Sequence, residues 1–219
     1  MPLSDSGDKE ETEKKEMLKK QMSGKETIVL CGFMGCGKTA VGKRLAFYTR
    51  RPLIDMDAYI EERQGMKIPE IFSRLGEEAF REMEYQAACE LAVRKKIIIS
   101  AGGGALTFQK NVEAFRKENC RIVLIDTSLK EISRRLRNDT KRPLLQREDK
   151  ERAMKELYEK RYPLYRAAAD IVVRGERHMD AVAHDIMVKV GILEQDNFLS
   201  GNRGRNKKGL PGNGISGGL

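Results

Sequence analysis

The stretch Gly32-Phe33-Met34-Gly35-Cys36-Gly37-Lys38-Thr39 constrains this 219-residue chain more than any other. An apolar run, Ile28-Val29-Leu30-Cys31, precedes it, and a helical pattern, Ala40-Val41-Gly42-Lys43-Arg44-Leu45-Ala46-Phe47, follows it. Strand, glycine-rich turn and helix in that order, at the spacing G-x-x-x-x-G-K-T, read as a phosphate-binding loop. Glycines allow positive φ, so successive N–H groups fold inward around an anion. A helix opening at Lys38 aims its positive dipole end at the same point. Lys38 is placed to reach β- and γ-phosphates, and the Thr39 hydroxyl to bind magnesium. The expected ligand is a nucleoside triphosphate; the plainer alternative is a glycine-rich structural turn.

The length suits one α/β domain with a real core, or at most two small ones. No apolar run approaches the ~20 residues of a membrane span. Residues 1–25 lack the apolar centre of a secretory signal and are too acidic for a transit peptide. Their six acids and six bases balance, and they read as a charged arm, disordered or weakly helical. From residue 194 the composition turns to Gly, Asn, Arg and Lys, which reads as a disordered tail. The domain expected between them spans 26–193. Residues 201–219 carry four bases and no acid, so five of the nine net positive charges fall outside the two ends. That excess suits a protein that clamps phosphates and an anionic substrate. Nucleic acid would suit it too, but no specific pattern supports that. Cys31, Cys36, Cys89 and Cys120 are far apart and form no C-x-x-C, which suggests reduced thiols in a cytoplasmic protein.

Further along, Pro52-Leu53-Ile54-Asp55 reads as a second strand, with Asp55 and Asp57 at its carboxyl end, where α/β sheets bind ligands. The two carboxylates are expected to point to different sides and serve different partners, and Asp57 would alternatively serve only as a helix N-cap. A helical region from Ile68 to Lys95 is interrupted at Gly76, and within it Arg81 stands among four carboxylates, a pattern that also fits a surface ion pair. The buried strand Ile97-Ile98-Ile99-Ser100 leads into Gly102-Gly103-Gly104, which permits close approach of a ligand to bare backbone or merely a flexible turn. Arg121–Ile125 is a strand ending in Asp126. That aspartate fits a metal-side position, but the cap of a helix starting near Leu129 is the favoured reading. Residues 134–152 are dense in base, with Arg142-Pro143-Leu144-Leu145 in the middle, and suit either a lid over phosphates or a solvated basic face. A helix carrying Arg161-Tyr162-Pro163-Leu164-Tyr165, the strand Ile171–Val173 and the helix Met179–Val190 complete the pattern.

Together these pieces resemble the shikimate kinase family from about Thr27 to Leu193. The resemblance rests on Gly35-Cys36-Gly37-Lys38-Thr39, Ile54-Asp55-Met56-Asp57, Gly76-Glu77-Glu78-Ala79-Phe80-Arg81, Gly102-Gly103-Gly104, Arg142-Pro143-Leu144-Leu145 and Arg161-Tyr162-Pro163-Leu164-Tyr165, in the family's order. It implies a three-layer P-loop kinase fold, a five-stranded parallel sheet of order 2-3-1-4-5 between helices, with a basic lid. The implied reaction moves the γ-phosphoryl of ATP to the 3-hydroxyl of shikimate, in aromatic amino-acid biosynthesis, with Mg²⁺ as cofactor. The family pattern implies catalytic roles for Lys38, Asp57 and Arg142. ATP falls to Gly35, Cys36, Gly37, Lys38, Thr39, Ala40, Arg135 and Arg142, with Arg135 packing on adenine. Shikimate falls to Asp57, Arg81, Gly102, Gly103, Gly104 and Arg161, the two arginines suiting its carboxylate. Thr39 would bind the metal, and Asp55 would do so through water. A monomer working on small molecules, with neither membrane nor specific nucleic acid as partner, completes the expectation.

Cys36 stands where the family commonly has a small residue such as alanine, and Ala40 where a second hydroxyl is frequent. Rival readings are a kinase for another hydroxy acid such as gluconate, and a nucleotide-gated regulatory protein. The first would need no carboxylate at the distance that Arg81 and Arg161 demand; the second would need the basic tail.

Overall fold

The computed structural model describes residues 27–137 and 149–193. The charged arm, the basic tail and the central part of the basic segment, Arg142 included, lie outside the described residues.

Five short strands build the sheet: β1 Ile28–Cys31, β2 Leu53–Asp55, β3 Ile98–Ser100, β4 Arg121–Asp126 and β5 Ile171–Arg174. All pair in parallel, in the order β2-β3-β1-β4-β5, as the resemblance implies. Val29 sits level with Ile99 on one side and Ile122 on the other, so the apolar rows of the three central strands align. Their near-continuous Ile/Val/Leu content follows from burial on both faces, which only helices on each side provide.

Strand alternation divides the core in two. Val29, Cys31, Ile99, Ile122 and Leu124 face one layer of helices: α2 Met56–Gln64, α3 Ile68–Ala92, α4 Gln109–Lys117 and α6 Lys150–Ala168. Ile28, Leu30, Ile98, Val123 and Ile125 face α1 Lys38–Thr49 and α7 Met179–Lys189, through Val41, Leu45, Val182 and Ile186. Fully burying one such Leu or Ile side chain contributes about 1.5–3 kcal/mol. The result is the three-layer α/β arrangement, with α5 Leu129–Leu136 and a 3₁₀ turn, Ala105–Thr107, at the carboxyl ends of the strands.

One favoured cap is corrected and one alternative is set aside. Asp126 does not cap α5: Ser128 does, its hydroxyl accepting from the Glu131 amide at 3.4 Å, because Asp126 is still in β4 and two residues too early. The Asp126 carboxylate instead accepts from the Tyr162 hydroxyl of α6 at 3.1 Å. The N-cap of α2 is likewise Asp55, not Asp57; its Oδ1 accepts from the amides of Asp57 and Ala58 at 3.1 and 3.3 Å. Helix α3 breaks at Gly76, as its sequence suggests, where φ is 82° and ψ 173°, values a glycine adopts without strain.

Candidate active site

The loop between β1 and α1 wraps its own lysine. Gly32, Gly35 and Gly37 have φ of 138°, 77° and 107°, turning the backbone tightly enough to present amides inward. A side chain at Gly32 would put Cβ 2.9 Å from the Ile125 carbonyl, so β4 leaves no room for one. Lys38 Nζ donates to the carbonyls of Gly32 at 2.7 Å and Phe33 at 3.2 Å, and stands 3.8 Å from the buried Cys36 Sγ. The loop is braced from behind: the Cys36 carbonyl accepts from Thr127 Oγ1 at 3.3 Å and Arg135 Nη1 at 3.0 Å. Arg135 also donates to the Gly175 carbonyl at 2.8 Å and to Glu131 at 2.8 Å.

A cavity of about 390 Å³ opens in front of the loop, lined by Gly35, Gly37, Lys38, Thr39 and Ala40 on one side and by Asp55, Asp57, Ala101 and Gly103 on the other. Asp55 and Asp57 thus share one cavity, which corrects the expectation that they face different sides: positions i and i+2 of an extended strand lie on one face. The strand ends at Asp55 and helix α2 begins at Met56, so the first turn of that helix places Asp57. Thr39 is exposed. The second oxygen of Asp55 makes no hydrogen bond among the described residues. A hydroxyl and a carboxylate beside the phosphate loop are hard oxygen donors, which fit Mg²⁺.

Beyond Asp57 lie the triglycine turn and two arginines. A Cβ on Gly102 would come 2.3 Å from Asp57 Oδ1, so glycine is required there for Asp57 to sit where it does. A Cβ on Gly104 would lie 3.2 Å from Arg81 Nη1 and 3.5 Å from Arg161 Nη2, so the two guanidinium groups converge on that residue. Arg161 Nη1 donates to the Gly103 carbonyl at 3.1 Å. Arg81 is ion-paired but not on the surface: its side chain is 17% exposed. It bonds Glu84 through Nη1 at 2.6 Å and Glu77 through Nε and Nη2 at 3.2 and 2.8 Å, and its guanidinium lies 4.7 Å from the Phe108 ring centre. Burial pushes the Glu84 carboxyl above its ordinary range, against the pull of the Arg81 charge. Next to the cavity, at the Gly104 end of the turn, two cations therefore stand side by side beside bare backbone. That arrangement can bind an anionic group while a neighbouring hydroxyl meets Asp57.

The family model for shikimate kinase matches residues 34–190. The chain belongs to that family. The shikimate kinase of Chromohalobacter salexigens is 41% identical over 156 residues, 71% of this chain and 86% of that one. That of Dehalococcoides mccartyi is 40% identical over 152 residues, 69% and 85% of the two chains. Among solved structures, a shikimate kinase from Acinetobacter baumannii in complex with shikimate matches with a TM-score of 0.70 and 35% identity, covering 78% of this chain and 96% of that one. A gluconokinase from Sinorhizobium meliloti shares the fold, with a TM-score of 0.50 at 13% identity over 78% of this chain and 94% of that one.

Sequence reasoning named the glycines, Lys38, Thr39, Asp55, Asp57, Arg81 and Arg161, and the fold gathers all of them at the carboxyl ends of β1, β2 and β3. Glu84 is signalled only by its i, i+3 spacing from Arg81 on α3. Phe108 has no such signal, since it reaches Arg81 only through the turn after β3. Tyr165 is visible as the fourth residue after Arg161, on the same face of α6. Arg142 lies outside the described residues. No helix among those described is long and apolar enough to cross a membrane.

Proposed function

We propose that this chain transfers the γ-phosphoryl group of ATP to the 3-hydroxyl of shikimate, giving shikimate 3-phosphate and ADP. The observation that carries the proposal is the convergence of Arg81 and Arg161 on Gly104, next to Gly103, which with Asp57 lines the same cavity as Lys38. A carboxylate held by the two guanidinium groups leaves a ring hydroxyl facing Asp57. The Asp57 carboxylate orients that hydroxyl and accepts its proton as the oxygen attacks phosphorus. Gly35, Cys36, Gly37, Lys38, Thr39 and Ala40 hold the phosphates, Lys38 exchanging its carbonyl partners for phosphate oxygens. Thr39 directly, and Asp55 through water, would hold Mg²⁺, which neutralises phosphate charge when bound. Arg142 is assigned to the phosphates by the resemblance. Arg135 borders a second cavity of about 440 Å³, lined in part by Ala40, Val41, Gly175, Met179 and Val182, which suits the adenine base. Gly102, Gly103 and Gly104 give the substrate ring access to the backbone. We further propose a monomeric cytoplasmic enzyme: one chain supplies both arginines, Asp57 and the phosphate loop, and its four cysteines are free thiols.

ADP release from Mg-ATP should be strongly stimulated by shikimate and not by gluconate. Arg161→Ala should lower kcat/KM for shikimate by about 10²-fold, because a buried charge-assisted pair is lost, while KM for ATP stays within about twofold. Binding of ATP without stimulation by shikimate would refute the assigned acceptor. A second variant tests the packing of the base. Gly102→Ala should push Asp57 from its place and cost about 10²-fold in kcat/KM for shikimate, the loss typical of a misplacement near 1 Å. Wild-type kinetics in that variant would show that the turn yields instead.

A further inference from the structure

The three carbonyls of the triglycine turn are satisfied in different ways. That of Gly102 accepts from the Ala105 amide at 3.2 Å, and that of Gly104 from the Thr107 amide at 3.0 Å and hydroxyl at 2.7 Å. Both are engaged within the turn. The Gly103 carbonyl is held from outside, by α6. Arg161 Nη1 donates to it at 3.1 Å, and the Tyr165 hydroxyl donates to the same oxygen. A carbonyl oxygen offers two lone pairs, so these two donors saturate it.

Arg161 and Tyr165 are four residues apart and share one face of α6. Tyr165 is only 1% exposed and packs in the core beneath the turn. Burial pushes its phenol up to about 12, so it remains a hydrogen-bond donor through the neutral range. The acceptor it fixes belongs to a glycine, whose peptide has no side chain to resist rotation. Nothing lies within 4 Å of where a Gly103 Cβ would stand, so between the turn bonds on either side the contacts that reach this peptide's oxygen come from α6.

We propose that Tyr165 is a positioning residue for the carboxylate clamp, fixing the Gly103 carbonyl so that Arg161 presents its other N–H groups beside Gly104 and Arg81. The proposal rests on the functional reading above. Without the phenol oxygen, one lone pair of the Gly103 carbonyl is unmatched. The peptide then rotates, or the guanidinium is drawn fully onto it. Either movement takes Arg161 Nη2 out of register with Arg81 Nη1, and the carboxylate loses one of its two partners.

Tyr165→Phe in the full chain keeps the ring and removes only the hydroxyl. It should raise KM for shikimate about tenfold, the effect of one buried hydrogen bond, with kcat and KM for ATP within about twofold. In an Arg161→Ala background the same change should lower kcat/KM by less than about twofold, because the residue it positions is gone. A fall in melting temperature with KM for shikimate unchanged would make the hydroxyl merely structural and overturn the proposal. A further tenfold loss in the Arg161→Ala background would also overturn it. Absence of shikimate-dependent ADP release in the wild type would refute the functional reading and this proposal with it. Release in the wild type, with wild-type KM in Tyr165→Phe, would refute the positioning role alone.

Discussion

Asp57→Asn is expected to lower kcat by about 10³-fold, within the range usual for removal of a general base, while the shikimate dissociation constant changes by less than about fivefold. The split follows from the geometry. Asp57 sits in the first turn of α2, opposite Lys38 and Thr39 across the cavity, and Gly102 gives it room that any larger residue would take. Asparagine has the same shape and can still hydrogen-bond a ring hydroxyl, so ground-state binding persists. It cannot accept the proton released as the hydroxyl attacks, so only the chemical step suffers. Steady-state rates combined with calorimetric titration of shikimate separate the two effects. A near-normal kcat would refute the role assigned to Asp57 without touching the carboxylate site.

Lys38→Ala should be as damaging, lowering kcat by about 10²–10³-fold through loss of one preorganised charge at the transferring phosphoryl group. In the loop Lys38 Nζ is already held by the Gly32 and Phe33 carbonyls, so the ammonium is stored within reach of the phosphates. It contacts neither Arg81 nor Arg161 among its hydrogen-bond partners, so shikimate affinity should stay within about twofold while ATP affinity falls about tenfold. Binding measured separately for each ligand checks this. Equal weakening of both would mean that the substitution disorders the whole cavity, not one charge.

The fold was legible where local pattern and local geometry coincide. Strand, glycine turn and helix from Ile28 to Phe47 can be read residue by residue, because each position has a backbone or charge requirement of its own. The break at Gly76 and the double-sided burial of Ile98–Ser100 are of the same kind. Strand order is different: it came from the family resemblance, since no local pattern says that β1 lies between β3 and β4. The errors lie at strand ends. Asp55 and Asp57, two residues apart, belong on one side by the strand period itself, and the cap of α2 is the residue that ends β2. Asp126 ends β4 and is taken up by Tyr162, 36 residues later, so its carboxylate has a partner that no local window contains. At the site, the residues assigned to ligands were readable because phosphate and carboxylate chemistry is restrictive. The residues that aim them were less so: Glu84 and Tyr165 show only as helix-spaced neighbours of Arg81 and Arg161, and Phe108 meets Arg81 only once the turn after β3 is in place.

The product of the reaction reports both which group is recognised and which is phosphorylated. Incubation with Mg-ATP and shikimate, followed by phosphorus–proton correlation spectroscopy of the product, should show a single phosphomonoester coupled to the proton at carbon 3. That result follows if Arg81 and Arg161 anchor the carboxylate and Asp57 selects the hydroxyl. Phosphate on another carbon, or a mixture of positions, would contradict the anchoring geometry even if ADP were released.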